Sequence, residues 1–190
     1  MNANGGQLVA GENSFDKFGH LLQEMIKDAN LAGAFDALNC LYSFVRFAPD
    51  IKTVTRTCHM FLLDKVQHTK QTFREICSKT LLEMLKRNMG ALVFPELMKR
   101  FKSKNTKLGL FAMGVVADAF KTRTGMDSLD LRMVFKSLQT VLTNRSDEVR
   151  DGSYAILEHV YANCSDDAEN LIKHCTKLRG VQATQLKEML

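Results

Sequence analysis

The sequence predicts an all-α fold, a short solenoid of about four helical hairpins closed by a C-terminal cap. Three observations carry this. Proline, which breaks helices because it lacks an N–H and clashes with the preceding turn, occurs only at Pro49 and Pro95 in 190 residues. Apolar residues recur at the spacing of one helix face almost everywhere after Ser14, and no alternating stretch bounded by turn residues competes. The helices then repeat as pairs, at intervals of 35 to 42 residues.

The elements follow in order. Residues 1–13, MNANGGQLVAGEN, hold too little apolar surface to offset chain entropy and are expected to form a disordered tail. They show neither the basic nor the apolar region of a secretory signal. Residues 14–190 are expected to be one domain, a length that buries a sizeable core. Phe15, Phe18, Leu22 and Met25 begin the first helical face, and Phe35, Leu38, Leu41, Tyr42 and Val45 make the second. After the break at Pro49 come Ile51, Val54, Cys58, Phe61 and Leu62; Phe73, Ile76, Cys77, Leu81 and Met84 follow, ending at Asn88 to Gly90. Further helical runs cover about 92–102, 107–121, 128–143, 146–162 and 166–178, with a short one near 183–189.

Aligning the second helix of each pair puts Leu31, Phe73, Leu108 and Val149 in one column, 42, 35 and 41 residues apart. Leu38, Thr80, Val115 and Ile156 form a second column, and Tyr42, Met84, Ala119 and Val160 a third. Mostly apolar columns at this spacing suit HEAT or armadillo arrays, in which each pair buries a face against its neighbours. A tetratricopeptide period of about 34 residues matches only one of the intervals. The repeat sorts the turns into two edges. The within-pair edge gathers Lys65, Lys70, Arg74, Lys102, Lys104, Lys107, Arg145 and Arg150. The between-pair edge is mixed, with Lys86, Arg87, Lys121 and Arg123 set against Asp50, Asp127, Asp166 and Asp167.

Chemistry has no visible address. There is no Gly-rich phosphate loop, no GxSxG, no HExxH and no paired-Cys metal spacing, so neither catalysis, a cofactor nor a metal is expected. Cys40, Cys58, Cys77, Cys164 and Cys175 are odd in number and fall mostly on apolar faces, as reduced cytosolic thiols do. Cys175 continues the series Ala168, Leu171 and Ile172 while His174 points off it; His59 and His159 are ordinary helical histidines. No run approaches the ~20 apolar residues of a membrane span. Met25, Met84, Met113 and Met133 read as core gap-fillers. Gly109, Gly114 and Gly152 each cost about 1 kcal/mol inside a helix relative to Ala, and close helix approach would explain them.

The net charge of +5 favours an acidic partner. The densest basic run is MKRFKSKNTK at 98–107, whose Phe101 belongs to the core with Phe94 and Leu97 by helical spacing. One aromatic among lysines is a weak sign of nucleic-acid stacking.

The stretches DANLAGAFDAL, HTKQTFREIC, KSKNTKLGLF and NRSDEVRDGSYAIL, followed by LRGVQATQLKEML, resemble in order the within-pair turns and closing segment of TOG domains. These are the HEAT-type, tubulin-binding arrays of microtubule polymerases and their CLASP relatives. The resemblance spans roughly 14–190; the family's first repeat has no counterpart, and the chain has no Trp. It implies a non-enzymatic, cytoplasmic, cytoskeleton-associated module that contacts the tubulin heterodimer or microtubule lattice through loop residues. Carried over singly, these are Asn30 in the second loop, Lys70 with Arg74 in the third, Lys104, Asn105 and Lys107 in the fourth, and Arg145 with Arg150 in the fifth. A HEAT-type adaptor for another protein is the alternative, and a nucleic-acid surface a weaker one.

Arg150 sharpens the choice. Ser146 is a natural N-cap, and Asp147 and Glu148 suit the positive helix end that follows. A cation in that first turn is disfavoured by roughly 0.3–1 kcal/mol. Asp147, three residues back, returns about 0.2–0.5 kcal/mol as a partner. Arg150 is therefore expected either to be held by Asp147 or a carboxylate of the adjoining pair, or to reach an acidic surface outside the chain.

Deleting residues 1–13 is expected to move the thermal midpoint by no more than a few degrees, less than one lost core contact would; a larger drop in a calorimetric scan contradicts the tail assignment.

Overall fold

The computed structural model describes residues 14–66, 70–125 and 130–163. They form eight helices: α1 (Ser14–Lys27), α2 (Leu31–Phe47), α3 (Lys52–Lys65), α4 (Gln71–Lys86), α5 (Gly90–Arg100), α6 (Thr106–Lys121), α7 (Leu131–Val141) and α8 (Asp147–Asn163). Among the described residues there is no strand. The expected tail, Cys164, Cys175, His174 and the expected helices at 166–178 and 183–189 lie outside them. The chain packs as two compact units, Met1–Val93 and Phe94–Leu190, with α5 crossing the division.

Short polar turns set the helix boundaries. Asn30 caps α2, its side-chain oxygen accepting from Ala32 N at 3.0 Å and Gly33 N at 3.4 Å. Asn105 caps α6 in the same way, accepting from Lys107 N at 3.1 Å and Leu108 N at 3.4 Å. Asp130 caps α7 through Arg132 N. Each satisfies donors that a helix start leaves orphaned. Two helix ends close in a left-handed residue that is not glycine, Asn88 at φ 60° and Arg123 at φ 52°. Beyond them Met89 N donates to Met84 O and Thr124 N to Ala119 O, the long bond of a Schellman motif.

In the first unit α1 packs on α3, α2 on α4, and α1 against α2. Gly19 lets α1 approach α3 closely: a Cβ there would meet the Val54 Cα at 3.4 Å, and the Cys58 thiol donates to the Gly19 carbonyl. Phe18 meets Phe44 across α1 and α2 at 4.9 Å between ring centres, and Phe35 meets Phe73 across α2 and α4 at 5.3 Å. At the far end of α2 the Arg87 guanidinium donates to four backbone carbonyls, Val45, Arg46, Ala48 and Pro49, at 3.5, 3.2, 2.6 and 3.2 Å. These are acceptors that the end of α2 cannot satisfy itself.

In the second unit α6 packs on α8 and α7 on α8. Gly109 and Gly152 mark close approaches, because an added Cβ would meet Arg100 O at 3.3 Å and the Met113 sulfur at 3.3 Å respectively. Gly114 faces open space, so close approach does not explain it. Asn163 ties the helix ends together: its amide donates to Phe120 O at 3.1 Å and its oxygen accepts from Arg123 Nε at 3.0 Å.

The central column, Leu38, Thr80, Val115 and Ile156, is buried throughout, and the Thr80 hydroxyl is satisfied by Ile76 O. Phe94, Leu97 and Phe101 are core, as their spacing predicts. Three expectations need correction. Leu31 is exposed because it opens α2 at the turn edge. Met25 is exposed, on a flank of α1 that no described helix covers. Cys40 is likewise exposed, whereas burial pushes the Cys58 and Cys77 thiols up to about 12.

Replacing Arg87 with Met keeps the aliphatic stem and removes the donors. It is expected to cost about 1–2 kcal/mol, since hydrogen bonds to a charged group are worth ~1.5–3 kcal/mol and this side chain is half-exposed. Urea unfolding with an unchanged denaturant slope checks it; no loss means that water replaces the clamp.

Candidate functional site

Two pairs of contacts fix which turns share an edge. In the first unit the Phe35–Phe73 contact lies near the starts of α2 and α4, while Arg87 binds carbonyls at the finish of α2. The two helices are therefore parallel and level, and Asn30 and Lys70 stand side by side at their starts. In the second unit Gly152 lies against Leu110 and Met113, and Asn163 reaches Phe120. That sets α6 and α8 parallel and level as well, bringing the turn of Lys104 to Lys107 beside that of Asn144 to Arg150. Each unit thus carries its own set of the expected residues.

In the first unit Asn30 and Lys70 are exposed and Arg74 is half-buried one turn further along α4. Lys70 occupies the N-cap position of α4 without a side-chain cap hydrogen bond. The Asn30 oxygen is committed to capping, and its own N–H donates to Asp28 Oδ1 at 2.9 Å.

The second unit holds the more open cations. Lys104, Lys107 and Arg145 are exposed, and none has an ion-pair partner among the described residues. Ser103 Oγ accepts from Asn105 N at 3.1 Å, and Asn105 in turn caps α6, so hydrogen bonds hold the backbone of the turn that carries the lysines. Among the described residues no carboxylate on a neighbouring helix pairs with these lysines. Glu96 is occupied: hydrogen bonds from Lys99 and Arg100 hold its carboxyl below the usual range, outweighing the opposing effect of burial.

Arg150 is not open in that sense. Its guanidinium donates to Asn144 O at 2.7 Å and Arg145 O at 3.2 Å and pairs with Asp147. Asn144 Oδ1 also accepts from Ser146 N at 2.9 Å, while Arg150 N donates to Ser146 O, so Ser146 stands at the N-cap position just before α8. The cation in the first turn is offset by Asp147 together with two carbonyls of the preceding turn. The sequence identified the carboxylate; the carbonyls, five and six residues back, are outside helix-spacing rules.

These are the turns that carry the resemblance, and the comparison with known families is decisive. The model of the XMAP215/Dis1/CLASP TOG domain matches residues 9–190. The chain belongs to this family. Three solved structures share the TOG fold with it. The MAST/Orbit N-terminal domain is 17% identical, covers 96% of this chain and 81% of its own, and superposes with a TM-score of 0.78. A structure from work on microtubule plus end tracking by XMAP215, CLIP-170 and EB1 is 19% identical over 96% of this chain and 76% of its own, at 0.70. One concerned with TOG–tubulin binding specificity is 17% identical over 92% and 66%, at 0.72. No curated protein matches the chain by sequence. The all-α, HEAT-like class read from the sequence is the class these structures show. Among the described residues of this TOG domain, no three His, Cys, Asp or Glu side chains could hold a metal ion, and no helix is long and apolar enough to cross a membrane.

Arg150→Ala is expected to destabilise the domain by about 1–2 kcal/mol, because charged hydrogen bonds are worth ~1.5–3 kcal/mol and this side chain is partly exposed. Arg150→Lys restores only part of the loss, since a point charge cannot span two carbonyls and a carboxylate. Equal stability of wild type and Arg150→Ala in urea melts removes the turn-holding role.

Proposed function

We propose that this TOG domain binds tubulin, as free heterodimer or within the microtubule lattice, through the within-pair turns and without chemistry of its own. The observation that carries the reading is the set Lys104, Lys107 and Arg145 on one edge of the second unit, exposed and without an ion-pair partner among the described residues. It occurs in a chain of a family whose structures are described in terms of tubulin binding and plus end tracking. Asn30, Lys70 and Arg74 of the first unit supply a second set of contacts. Asn105 and Arg150 serve mainly by holding the loops that present the lysines. Cytoplasmic, cytoskeleton-associated placement follows from this partner.

The physics is that of an acidic partner steered by a basic edge. Exposed, unpaired cations lose little by desolvation on binding, accelerate encounter, and weaken as salt screens them. Caps that fix the loop beforehand reduce the ordering entropy that binding must offset.

Lys104→Glu with Lys107→Glu is expected to reduce co-pelleting with microtubules, and co-elution with unpolymerised tubulin, at least severalfold at low salt. Stability should change by less than about 0.5 kcal/mol, as for surface substitutions generally. Unchanged pelleting removes this turn from the interface, and equal loss of binding to duplex DNA marks a non-specific basic patch.

A further inference from the structure

The large apolar side chains left most exposed among the described residues all belong to the first hairpin: Leu21 at 57%, Met25 at 42%, Leu31 at 41% and Phe47 at 61%. Three of them share one side. α1 turns Gly19 toward Val54 and Thr57 of α3. At about 100° per residue, Leu21 and Met25 lie some 160° and 120° around the helix from Gly19, on the flank away from α3. α2 turns Phe35 toward Phe73 of α4. Cys40 and Phe47 lie about 140° and 120° around from Phe35, again on the far flank. A patch of this kind on an otherwise ordinary surface marks an interaction site.

The charges bordering the patch say what covers it. Lys17 on α1 and Asp28, in the turn just past its last residue, continue the line of Leu21 and Met25, so the stripe reads cation, apolar, apolar, anion. Lys17 is exposed and has no ion-pair partner among the described residues. Asp28 spends one oxygen on Asn30 N and, as a carboxylate, retains further acceptor capacity. Glu24, also on α1, is already paired with Lys27 at 2.9 Å, and Asp36 is exposed on α2. A stripe of this order is complementary to itself reversed. When two copies of α1 lie antiparallel about an axis near residue 23, Leu21 of one opposes Met25 of the other, and Lys17 opposes Asp28 at both ends. That is the condition for an isologous interface, in which one surface meets itself.

We propose that this flank of α1 and α2 is a homodimer interface, two copies of the chain meeting about a two-fold axis level with the middle of α1. The Phe18–Phe44 contact fixes how α2 lies beside α1. Counting five residues inward along each antiparallel helix brings position 23 level with position 39. Cys40 therefore lies close to the axis, near Cys40 of the second copy, and reports the geometry directly.

Sedimentation equilibrium of the full chain over a concentration series is expected to show a monomer–dimer equilibrium. Leu21→Lys with Met25→Lys should raise the dissociation constant at least about tenfold, with helicity unchanged because both sites are exposed. Lys17→Asp should raise it severalfold, and Leu31→Lys, off this flank, should leave it unchanged. Mild copper–phenanthroline oxidation should yield a disulfide-linked dimer in the wild type and none in Cys40→Ser. A chain monomeric throughout the series, or a dimer indifferent to Leu21→Lys/Met25→Lys, overturns the proposal; so does a dimer that Leu31→Lys disrupts equally.

Discussion

Within each unit the parallel helices of successive hairpins start level with one another, and everything at that unit's turn edge follows from the alignment. It is set at two heights. Near the start, aromatic or glycine contacts hold the helices together, Phe35 on Phe73 in one unit and Gly152 against Met113 in the other. Near the finish a polar side chain binds backbone carbonyls of the earlier helix, Arg87 in the first unit and Asn163 in the second. Two contacts separated along a rod fix both its tilt and its slide. A turn of three or four residues then has no freedom to choose its edge, and the cations within it are presented together because the helices beneath them are aligned.

The alignment was legible where burial follows period. The column of Leu38, Thr80, Val115 and Ile156 could be read from apolar spacing because each residue sits mid-helix, where one face has one environment. Leu31 heads its own column yet stands in solvent, because a residue in the first turn has left the layer that its period assigns it to. Met25 shows a different limit. Its spacing from Leu22 is that of a shared face, but a helix has two flanks, and only the neighbouring helix determines which is covered. The glycines make the same point, since Gly109 and Gly114 are indistinguishable in sequence and differ only in what lies opposite.

The candidate edge was legible in its residue types and not in their division of labour. All the expected positions lie at within-pair turns or in the first turns of α2, α4, α6 and α8, as the repeat spacing and the family resemblance implied. Asn30 and Asn105 are nonetheless N-caps first, each with its side-chain oxygen engaged by two backbone N–H groups. Arg150 was finely balanced by local energetics, a dipole penalty of about 0.3–1 kcal/mol against a pair worth about 0.2–0.5 kcal/mol. Two carbonyls of the preceding turn tip that balance, and no pairwise spacing rule contains them. What remains after these commitments is a smaller group of projecting lysines and Arg145, and charge alone distinguishes them from their neighbours.

The Arg87 clamp bears on how such repeats diverge. Its four acceptors are all main-chain oxygens, so it recognises the end of a helix and not the identity of the residues there. The exposed side chains in the last turn of α2, Arg46 and Phe47, are thus not what the clamp recognises. Mutation can rewrite that surface while the junction survives, and recognition of new partners can drift on the between-pair edge without eroding the array that carries it.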